Sequence, residues 1–230
     1  MSLFDLPPIP DVPVKGETEG YPVRRIFCVG RNYAAHAAEM GNEVDREAPF
    51  YFTKSPAHLV LTGATLPFPP GTEDYHHEME FVVALGAPLF RCSADEGMAA
   101  VYGYACGLDM TRRDLQGQAK DKRRPWDLGK DVEGAAVIGE ITKAAEFGTV
   151  SDQSITLAVN GEMKQDATLA ELIHDVPAVL VHLSRYYHLG PGDLIYTGTP
   201  AGVGAVQPGA VLHGEVAGLG PVDLTLGDPE

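Results

Sequence analysis

The stretch DYHHEMEFVV, residues 74–83, decides the fold prediction because it joins two acidic residues directly to an apolar run. In a strand, successive side chains point to opposite faces, so His76, Glu78 and Glu80 would share one face. Residues 81–85 are all apolar, which is typical of a strand covered on both faces. The stretch therefore predicts a buried central strand with two adjacent carboxylates at its mouth.

Such a pair of carboxylates has two interpretations. On a half-exposed edge strand, Glu78 and Glu80 would simply meet water. At the entrance of a buried region they would repel each other and take up protons unless a positive charge compensated them. The compensating charge would come either from basic side chains or from a metal ion.

The composition limits the class of protein. The chain has 230 residues, of which 44% are hydrophobic, and this is enough for one domain with a full core. Its 17 basic and 32 acidic residues give a formal charge of −15, so we expect neither a nucleic acid nor an anionic membrane as partner. No apolar run approaches the ~20 residues of a membrane span, and the first ten residues do not resemble a secretory signal. We therefore expect a cytoplasmic protein.

The predicted elements indicate an α+β protein that is mainly β. Residues 1–21 contain four prolines, which predicts an extended arm that wraps a surface or a partner subunit, and residues 22–230 would form a single catalytic domain. Regular alternation of strands and helices is absent, which argues against a doubly wound parallel sheet. The main strand candidates are residues 23–30, 99–110, 154–161, 193–198, 210–218 and 222–226.

The three cysteines are widely spaced, so we expect reduced thiols rather than disulfides or a metal site.

Fewer segments have a helical pattern. The predicted helices are residues 32–41, with Asn32 as N-cap and Gly41 after the end; a helix from about Arg112, opened by a capping box of Thr111 and Asp114; and residues 167–190, interrupted near Pro177.

A second strand candidate supplies a third carboxylate, Asp109. Alternation places it on a face otherwise formed by glycine and alanine, which tight packing alone would explain. Together with Glu78 and Glu80 it gives an oxygen-rich set of ligands, the kind that Mg²⁺, Mn²⁺ or Ca²⁺ prefers. Zinc stays open as an alternative because His76 and His77 are close in sequence.

Basic residues concentrate after Asp109. Residues 112–130 hold seven of the chain's 17 lysines and arginines. A solvated helix accounts for four of them, Lys120, Lys122, Arg123 and Arg124. We retain Arg113, Gln116 and Lys130 as candidates for binding an anionic substrate, because an acidic protein needs a local positive site for one.

Two further motifs are candidates for chemistry. His36 and Glu39 are spaced i, i+3 in a short predicted helix, so they could act together on one proton, although such pairs are usually surface contacts. The sequence GDLIYTGTPAGVG, residues 192–204, predicts a glycine-rich loop after a strand. Backbone N–H groups near Gly198, with Thr199, could hold a small carboxylate, or the loop could be an ordinary tight connection.

Five blocks in the chain together resemble the fumarylacetoacetate hydrolase family over roughly residues 22–226. Within that family the chain is most similar to the branch of acylpyruvases that includes bacterial fumarylpyruvate hydrolases. The order of the blocks is that of the family: FCVGRNYAAHAAEMG, YHHEMEFVVALG, GYACGLDMTRRDLQ, RPWDLGKD and GDLIYTGTPAGVG.

This resemblance implies a mixed β-sandwich roll, a homodimer and bound Mg²⁺ or Mn²⁺. It implies that Glu78, Glu80 and Asp109 are the metal ligands, which is the set that the strand argument reached independently. It also implies that His36 and Glu39 activate water. The positions that match substrate contacts in relatives are Arg113, Gln116, Lys130 and Thr199.

The implied reaction is metal-dependent hydrolysis of a carbon–carbon bond in a small anionic keto acid, an acylpyruvate. For fumarylpyruvate, the products would be fumarate and pyruvate, in the breakdown of aromatic acids. Gln116 and Lys130 would stabilise the oxyanion. Oxaloacetate decarboxylation on the same metal site is the nearest alternative, and a non-catalytic cation-binding scaffold is a rival from another class.

Two stretches depart from the family pattern. Relatives commonly have FxKP where this chain has Lys54-Ser55-Pro56, and many carry an aromatic residue and a proline where this chain has DVEGAAV, residues 131–137. We expect either departure to affect substrate preference.

Overall fold

The computed structural model describes residues 3–4, 7–39 and 46–230. Strands dominate these residues, as predicted. They are β1 (Arg25–Gly30), β2 (Phe50–Lys54), β3 (Leu59–Leu61), β4 (Ala64–Phe68), β5 (Tyr75–His77), β6 (Met79–Leu85), β7 (Val101–Asp109), β8 (Thr111–Arg112), β9 (Ala136–Ile138), β10 (Thr142–Lys143), β11 (Ser154–Val159), β12 (Glu162–Thr168), β13 (Asp193–Tyr196), β14 (Gly204–Val206), β15 (Val211–Val216) and β16 (Val222–Pro229).

The helices are short. They are α1 (Ala34–Glu39), α2 (Ala94–Ala99), α3 (Arg113–Asp121), α4 (Asp127–Lys130), α5 (Ala144–Phe147) and α6 (Val176–Leu183), with 3₁₀ turns at Pro56–His58 and Leu169–Glu171. The α+β class with a majority of strands is therefore confirmed.

The strands form three sheets. The largest has the order β2-β1-β13-β6-β7-β9-β3, with β10 also paired to β7. A five-stranded sheet has the order β12-β11-β15-β16-β4, and a three-stranded sheet has the order β14-β5-β8. The neighbours β6 and β7 are antiparallel, while β1 and β13 are parallel, so the large sheet is mixed.

Strand β6 is buried on both faces, as the apolar run predicted. Phe81 and Val83 belong to one hydrophobic cluster, which also contains residues of the five-stranded sheet such as Leu157. Val82 and Ala84 belong to a second cluster on the other side of the large sheet. This central position brings the start of β6, with its glutamates, into the interior of the protein.

The described part of the N-terminal segment packs on this second cluster. Val12 pairs with Tyr21, and Val14 pairs with Ile141 just before β10. Val12 and Val14 are buried. Val12, Val14 and Tyr21 of the predicted arm thus pack on the chain's own core, while Leu3, Phe4 and Ile9 are exposed. The division into an arm and one catalytic domain stays a prediction.

Three details of the helix predictions were wrong. Asn32 does not cap α1, because its side chain bonds the backbone of Thr197 and His174 instead. Thr111 does not cap α3, because its hydroxyl donates to the Asp109 carbonyl. The predicted helix over residues 167–190 is α-helical only at Val176–Leu183, and Pro177 lies in its first turn rather than interrupting it, since proline fits that position. The predicted C′ residue Gly41 lies outside the described residues.

The thiol prediction agrees with the structure. Cys28 and Cys106 are buried, Cys92 is half-buried, and all three are free. None of the helices in the described part of the chain has the length and apolar character that crossing a membrane would require.

The small-residue face of β7 allows close packing, and its glycines are testable. A Cβ atom on Gly107 would lie 2.6 Å from the Tyr196 ring and 2.6 Å from Val82. We expect Gly107→Ala to lower the free energy of unfolding by about 1–3 kcal/mol, the usual cost of overpacking. Chemical denaturation would measure this change.

Gly117 provides the matched control. It lies inside α3 with no atom near the position of a Cβ. Gly117→Ala is therefore expected to raise stability by about 0.5–1 kcal/mol, because alanine is the better helix former. An unchanged stability of Gly107→Ala would contradict the close packing of this face.

Candidate metal centre and active site

Three strand ends bring the three predicted carboxylates together. Glu78 lies between β5 and β6, Glu80 is the second residue of β6, and Asp109 is the last residue of β7. The backbone N–H of Asp109 donates to the Glu78 carbonyl at 2.9 Å, which fixes the two strands at this point. Each residue offers a carboxylate oxygen, and these three atoms lie within 4.8 Å of one another. All three residues are buried.

Three cations compensate these carboxylates. Lys130 Nζ donates at 2.7 Å to Glu78 Oε2 and at 2.7 Å to Asp109 Oδ2. Arg113 donates to the other oxygen of Glu78, and Lys54 Nζ lies 2.8 Å from Asp109 Oδ1. Lys54 and Lys130 are themselves buried. Basic side chains, the first of the two predicted sources of compensation, are therefore present.

The compensation is uneven, and this leaves room for a metal ion. Although burial opposes ionisation, Lys130 and Arg113 hold the pKa of Glu78 below its ordinary value. Burial, followed by the charges of Asp109 and Glu78, raises the pKa of Glu80 well above its ordinary value. Glu80 has no ion pair with a basic side chain among the described residues. A divalent metal ion can neutralise the charge of its carboxylate.

Asp109 gives the second indication of a fit. Its Oδ1 atom is buried and accepts no hydrogen bond from the described residues. The nearby Lys54 ammonium is in contact but directs hydrogen bonds to the carbonyls of Met110 and Lys130. A buried carboxylate oxygen that has an ionic contact but accepts no hydrogen bond, close to two other carboxylates, fits a hard cation such as Mg²⁺ or Mn²⁺.

The two histidines that left zinc as an alternative form hydrogen bonds with residues outside the carboxylate cluster. His76 Nε2 lies 2.8 Å from Asp74 Oδ1, and His77 Nδ1 lies 3.2 Å from Gln165 Oε1. The cluster of candidate ligands found among the described residues contains neither histidine. An oxygen-only set favours Mg²⁺, Mn²⁺ or Ca²⁺ over zinc.

The predicted dyad lies beside the carboxylates. His36 is buried and lines the same cleft as Glu78 and Glu80, and its Nδ1 atom lies 3.4 Å from Glu39 Oε2. Desolvation lowers the pKa of His36 below its ordinary value of 6.5, which favours the neutral imidazole. A neutral imidazole paired with a carboxylate is able to accept a proton from water.

The glycine-rich loop does hold carboxylates, but they are the protein's own. The N–H of Gly198 donates at 2.8 Å to Glu80 Oε2, and the N–H of Gly202 lies 3.2 Å from the Glu39 oxygens. Gly198 has φ +99°, and a Cβ there would lie 2.7 Å from Cβ of Asn32, so only glycine fits. Its predicted contact with substrate stays a prediction, while its contact with Glu80 is direct.

The remaining predicted substrate contacts line the cleft. Gln116 is buried and accepts from Arg113 at 2.6 Å, which leaves its amide N–H groups free to donate within the described residues. Thr199 accepts from Gln165 at 2.8 Å, so its own hydroxyl proton is available to a ligand. Lys130 also donates to Thr111, and its three protons are therefore all engaged.

Several residues of the cleft were not predicted. Lys54 lies in a stretch that departs from the family pattern and was assigned no role, and its contact with Asp109 places it in the site. Lys120 was interpreted as a solvated residue, but it is half-buried and lines the cleft with Arg31 and Trp126. The i, i+3, i+7 spacing of Arg113, Gln116 and Lys120 was the available signal for this face of α3.

The two family departures meet in the structure. The Ser55 N–H and His58 Nδ1 both lie 2.7 Å from Asp131 Oδ1. Asp131 directly follows the buried Lys130, and Ser55 directly follows the buried Lys54. The altered loops thus hold each other beside two lysines of the site.

These features define a metal-dependent enzyme: a curled β fold, a cation site with oxygen ligands only, an acid–base pair and several basic side chains. The chain belongs to the fumarylacetoacetate hydrolase family: the C-terminal domain of fumarylacetoacetate hydrolase matches residues 25–226.

Named relatives and a solved structure agree with this assignment. A fumarylpyruvate hydrolase of a Ralstonia species is 53% identical over 194 residues, which are 83% of this chain and 100% of that protein. An oxaloacetate tautomerase of Escherichia coli K12 is 37% identical over 86% of this chain and 90% of that protein. A crystal structure of fumarylpyruvate hydrolase from Pseudomonas aeruginosa in complex with Mn²⁺ and pyruvate has a TM-score of 0.94 and 40% identity, over 99% of this chain and 100% of that one.

Proposed function

We propose that the protein hydrolyses a carbon–carbon bond in acylpyruvates, with fumarylpyruvate as the preferred substrate and fumarate and pyruvate as products. The observation that carries the proposal is the juxtaposition of the carboxylate triad with the buried His36, which lines the same cleft and pairs with the more exposed Glu39. The 53% identity with a fumarylpyruvate hydrolase supports the choice of substrate.

In this proposal the metal would be held by Glu78, Glu80 and Asp109. Mg²⁺ or Mn²⁺ in this position supplies a Lewis acid that orients a 2-keto acid and withdraws electron density from its oxygens. Ca²⁺ fits the same donor atoms as an alternative. Lys54 and Lys130 keep the ligands fixed through their contacts with Asp109.

The residues around the metal site divide the reaction between them. His36, oriented by Glu39, takes a proton from a water molecule that attacks the distal carbonyl of the substrate. The amide of Gln116 donates to the oxyanion that forms, and Lys130 can join it only by exchanging one of its three present hydrogen bonds.

Cleavage breaks the bond between the distal carbonyl carbon and the adjacent methylene carbon. The electron pair leaves with the pyruvate fragment as an enolate, and the acyl carbon keeps the hydroxyl from water. Arg113, which forms an ion pair with Glu78, stabilises the negative charge of this leaving group. Protonation of the enolate completes the formation of pyruvate.

We extend the proposal to the setting of the enzyme. Fumarylpyruvate points to the breakdown of aromatic acids in the cytoplasm. We also propose a homodimer, which the exposed hydrophobic side chains of Leu128, Met163, Tyr186 and Val211 support as candidates for a subunit interface. Sedimentation at several protein concentrations tests this oligomeric state.

Oxaloacetate is the second candidate substrate, because the Escherichia coli relative is an oxaloacetate tautomerase and a Dictyostelium discoideum relative at 37% identity is an oxaloacetate decarboxylase. Decarboxylation of oxaloacetate also yields a pyruvate enolate, but it needs no attacking water. The hydrolase is favoured because a buried histidine, His36, lines the cleft and is paired with the carboxylate of Glu39, an arrangement suited to water activation.

A substrate comparison tests the proposal. Loss of fumarylpyruvate, acetylpyruvate and oxaloacetate is followed by ultraviolet absorbance with Mg²⁺ or Mn²⁺, each with and without EDTA. We expect fast loss of fumarylpyruvate that EDTA abolishes, since the metal is part of the site. Activity on oxaloacetate alone would replace the hydrolase with the decarboxylase, and absence of all turnover with calcium-dependent partner binding would favour a scaffold.

A further inference from the structure

The cleft contains two cations that the triad does not use. Arg31 and Lys120 are half-buried and line the same cleft as Glu78 and Glu80. Neither forms an ion pair with any described carboxylate, although the chain has a net charge of −15. Two half-buried cations that have no carboxylate partner within the described part of an acidic chain indicate a site for an anion.

Arg31 is held in place by aromatic rings. Its guanidinium carbon lies 5.4 Å from the Phe50 ring centroid and 5.9 Å from the Trp126 ring centroid. These two rings contact each other edge to face at 5.5 Å. Such contacts fix the direction of a guanidinium and leave its N–H groups available to a ligand.

The backbone at this point is adapted to the same arrangement. Arg31 has φ +55°, a left-handed conformation that a side chain such as arginine rarely adopts. A Cβ on the preceding Gly30 would lie 2.1 Å from the Phe50 ring, so glycine makes room for the ring that supports Arg31. A strained residue that lines a cleft is a feature of functional sites.

Lys120 approaches the cleft from helix α3. It lies seven residues after Arg113, which places the two about 10 Å apart along the helix axis. Burial lowers the pKa of Lys120, and the nearby charges of Arg31 and Arg113 lower it further. The three cations therefore share one region of positive potential that extends away from the triad.

The charges along the cleft suit a substrate with a carboxylate at each end, because Arg113 and the triad line it together with Arg31 and Lys120. The pyruvyl carboxylate and keto oxygen belong at the metal triad, beside Arg113. In fumarylpyruvate a second carboxylate lies six bonds farther on, or about 7 Å in an extended chain. Acetylpyruvate ends in a methyl group and has no use for further cations.

We propose that Arg31, assisted by Lys120, binds the carboxylate at the far end of the acyl group. This assignment rests on the proposed function and makes the enzyme selective for acylpyruvates whose acyl group ends in a carboxylate. Trp126 and Phe50 act as positioning residues for Arg31.

The test compares two substrates with one variant. Arg31→Met keeps an unbranched side chain that can still pack on the aromatic rings, and it removes the charge and the N–H donors. We expect kcat/KM for fumarylpyruvate to fall by about 10–100-fold, mainly through KM, the range expected when a hydrogen bond to a charged group is lost. The kcat/KM for acetylpyruvate is expected to stay within about twofold, because that substrate has no far carboxylate.

Two further variants complete the design. Lys120→Met is expected to show the same selective loss to a smaller degree, and it provides an independent readout if Arg31→Met folds poorly. Lys122→Met, an exposed residue after the same helix, is expected to leave both substrates unchanged.

The outcomes separate this assignment from the proposed function. Wild-type protein that turns over neither acylpyruvate with added metal would overturn the proposed function, and this assignment with it. Wild-type activity with equal losses on both substrates, or no loss, in folded Arg31→Met and Lys120→Met would overturn this assignment alone.

Discussion

Glu80→Gln is expected to lower kcat/KM for fumarylpyruvate by more than about 100-fold and to remove the response to added Mn²⁺. Loss of an outer partner of a metal ligand typically costs about 10–100-fold, and loss of a ligand charge costs more. Glutamine preserves the shape and can still accept the Gly198 N–H bond. Steady-state kinetics and calorimetric titration with Mn²⁺ measure the two effects.

The stability of the metal-free protein provides a second readout for Glu80→Gln. The buried Glu80 carboxyl faces Asp109 and Glu78, so its charge opposes folding when no metal is bound. We expect the metal-free variant to melt at the same temperature as wild type or higher, and to lose the stabilisation by Mn²⁺ that wild type shows. Glu73→Gln, an exposed carboxylate on the same segment, is the matched control. Unchanged Mn²⁺ affinity in Glu80→Gln would remove Glu80 from the ligand set.

His36→Gln is expected to lower kcat for fumarylpyruvate by about 10²–10⁴-fold, the usual contribution of a general base. The Mn²⁺ affinity is expected to change little, because His36 lies outside the carboxylate cluster. Single-turnover kinetics and Mn²⁺ titration of the same preparation separate chemistry from metal binding.

Glu39 gives the matching variant for this prediction. Glu39→Gln is expected to lower kcat too, and the double variant is expected to be little worse than His36→Gln, because groups that act as a unit are not additive. His213→Gln, a partly exposed histidine paired with Asp223, is the control. Full turnover by His36→Gln would remove the pair from the mechanism.

The sequence predicted the metal cluster because it follows from strand periodicity. Alternation placed Glu78 and Glu80 on one face, and the apolar run after them predicted burial. Asp109 could be added because β7 has the same alternation. The position of Asp109 beside Glu78 depends on the pairing of β6 with β7, which local patterns suggest but do not fix.

The surroundings of the cluster could not be predicted in the same way. Lys54 contacts Asp109 across 55 positions in sequence, and Arg31 reaches Trp126 across 95, so no local pattern links them. Lys120 was assigned to solvent because a charged residue on a short helix usually is, and only the packing of α3 over the cleft reverses this. The Gly198 loop was predicted to hold a carboxylate, but sequence could not show that Glu80 would be the one.

The predicted helix caps were wrong because the capping side chains form other hydrogen bonds. Asn32 and Thr111 are good capping residues, but the Asn32 side chain donates to the distant Thr197 carbonyl and the Thr111 hydroxyl donates to the Asp109 carbonyl two residues earlier. Both side chains contribute to the site, since Asn32 ties the segment before α1 to the loop before Gly198, and Thr111 also accepts from Lys130. Around the cleft, hydrogen bonds that build the site therefore took precedence over the N-capping preference of these residues.

The most direct test is a titration of EDTA-treated, metal-free protein with Mn²⁺ while the loss of fumarylpyruvate and the formation of fumarate and pyruvate are measured. The expected result is a rate near background without metal, which rises with Mn²⁺ and saturates at one ion per chain, with equal amounts of the two products. Full turnover by the metal-free protein, or products other than fumarate and pyruvate, would contradict metal-dependent cleavage at the carboxylate triad.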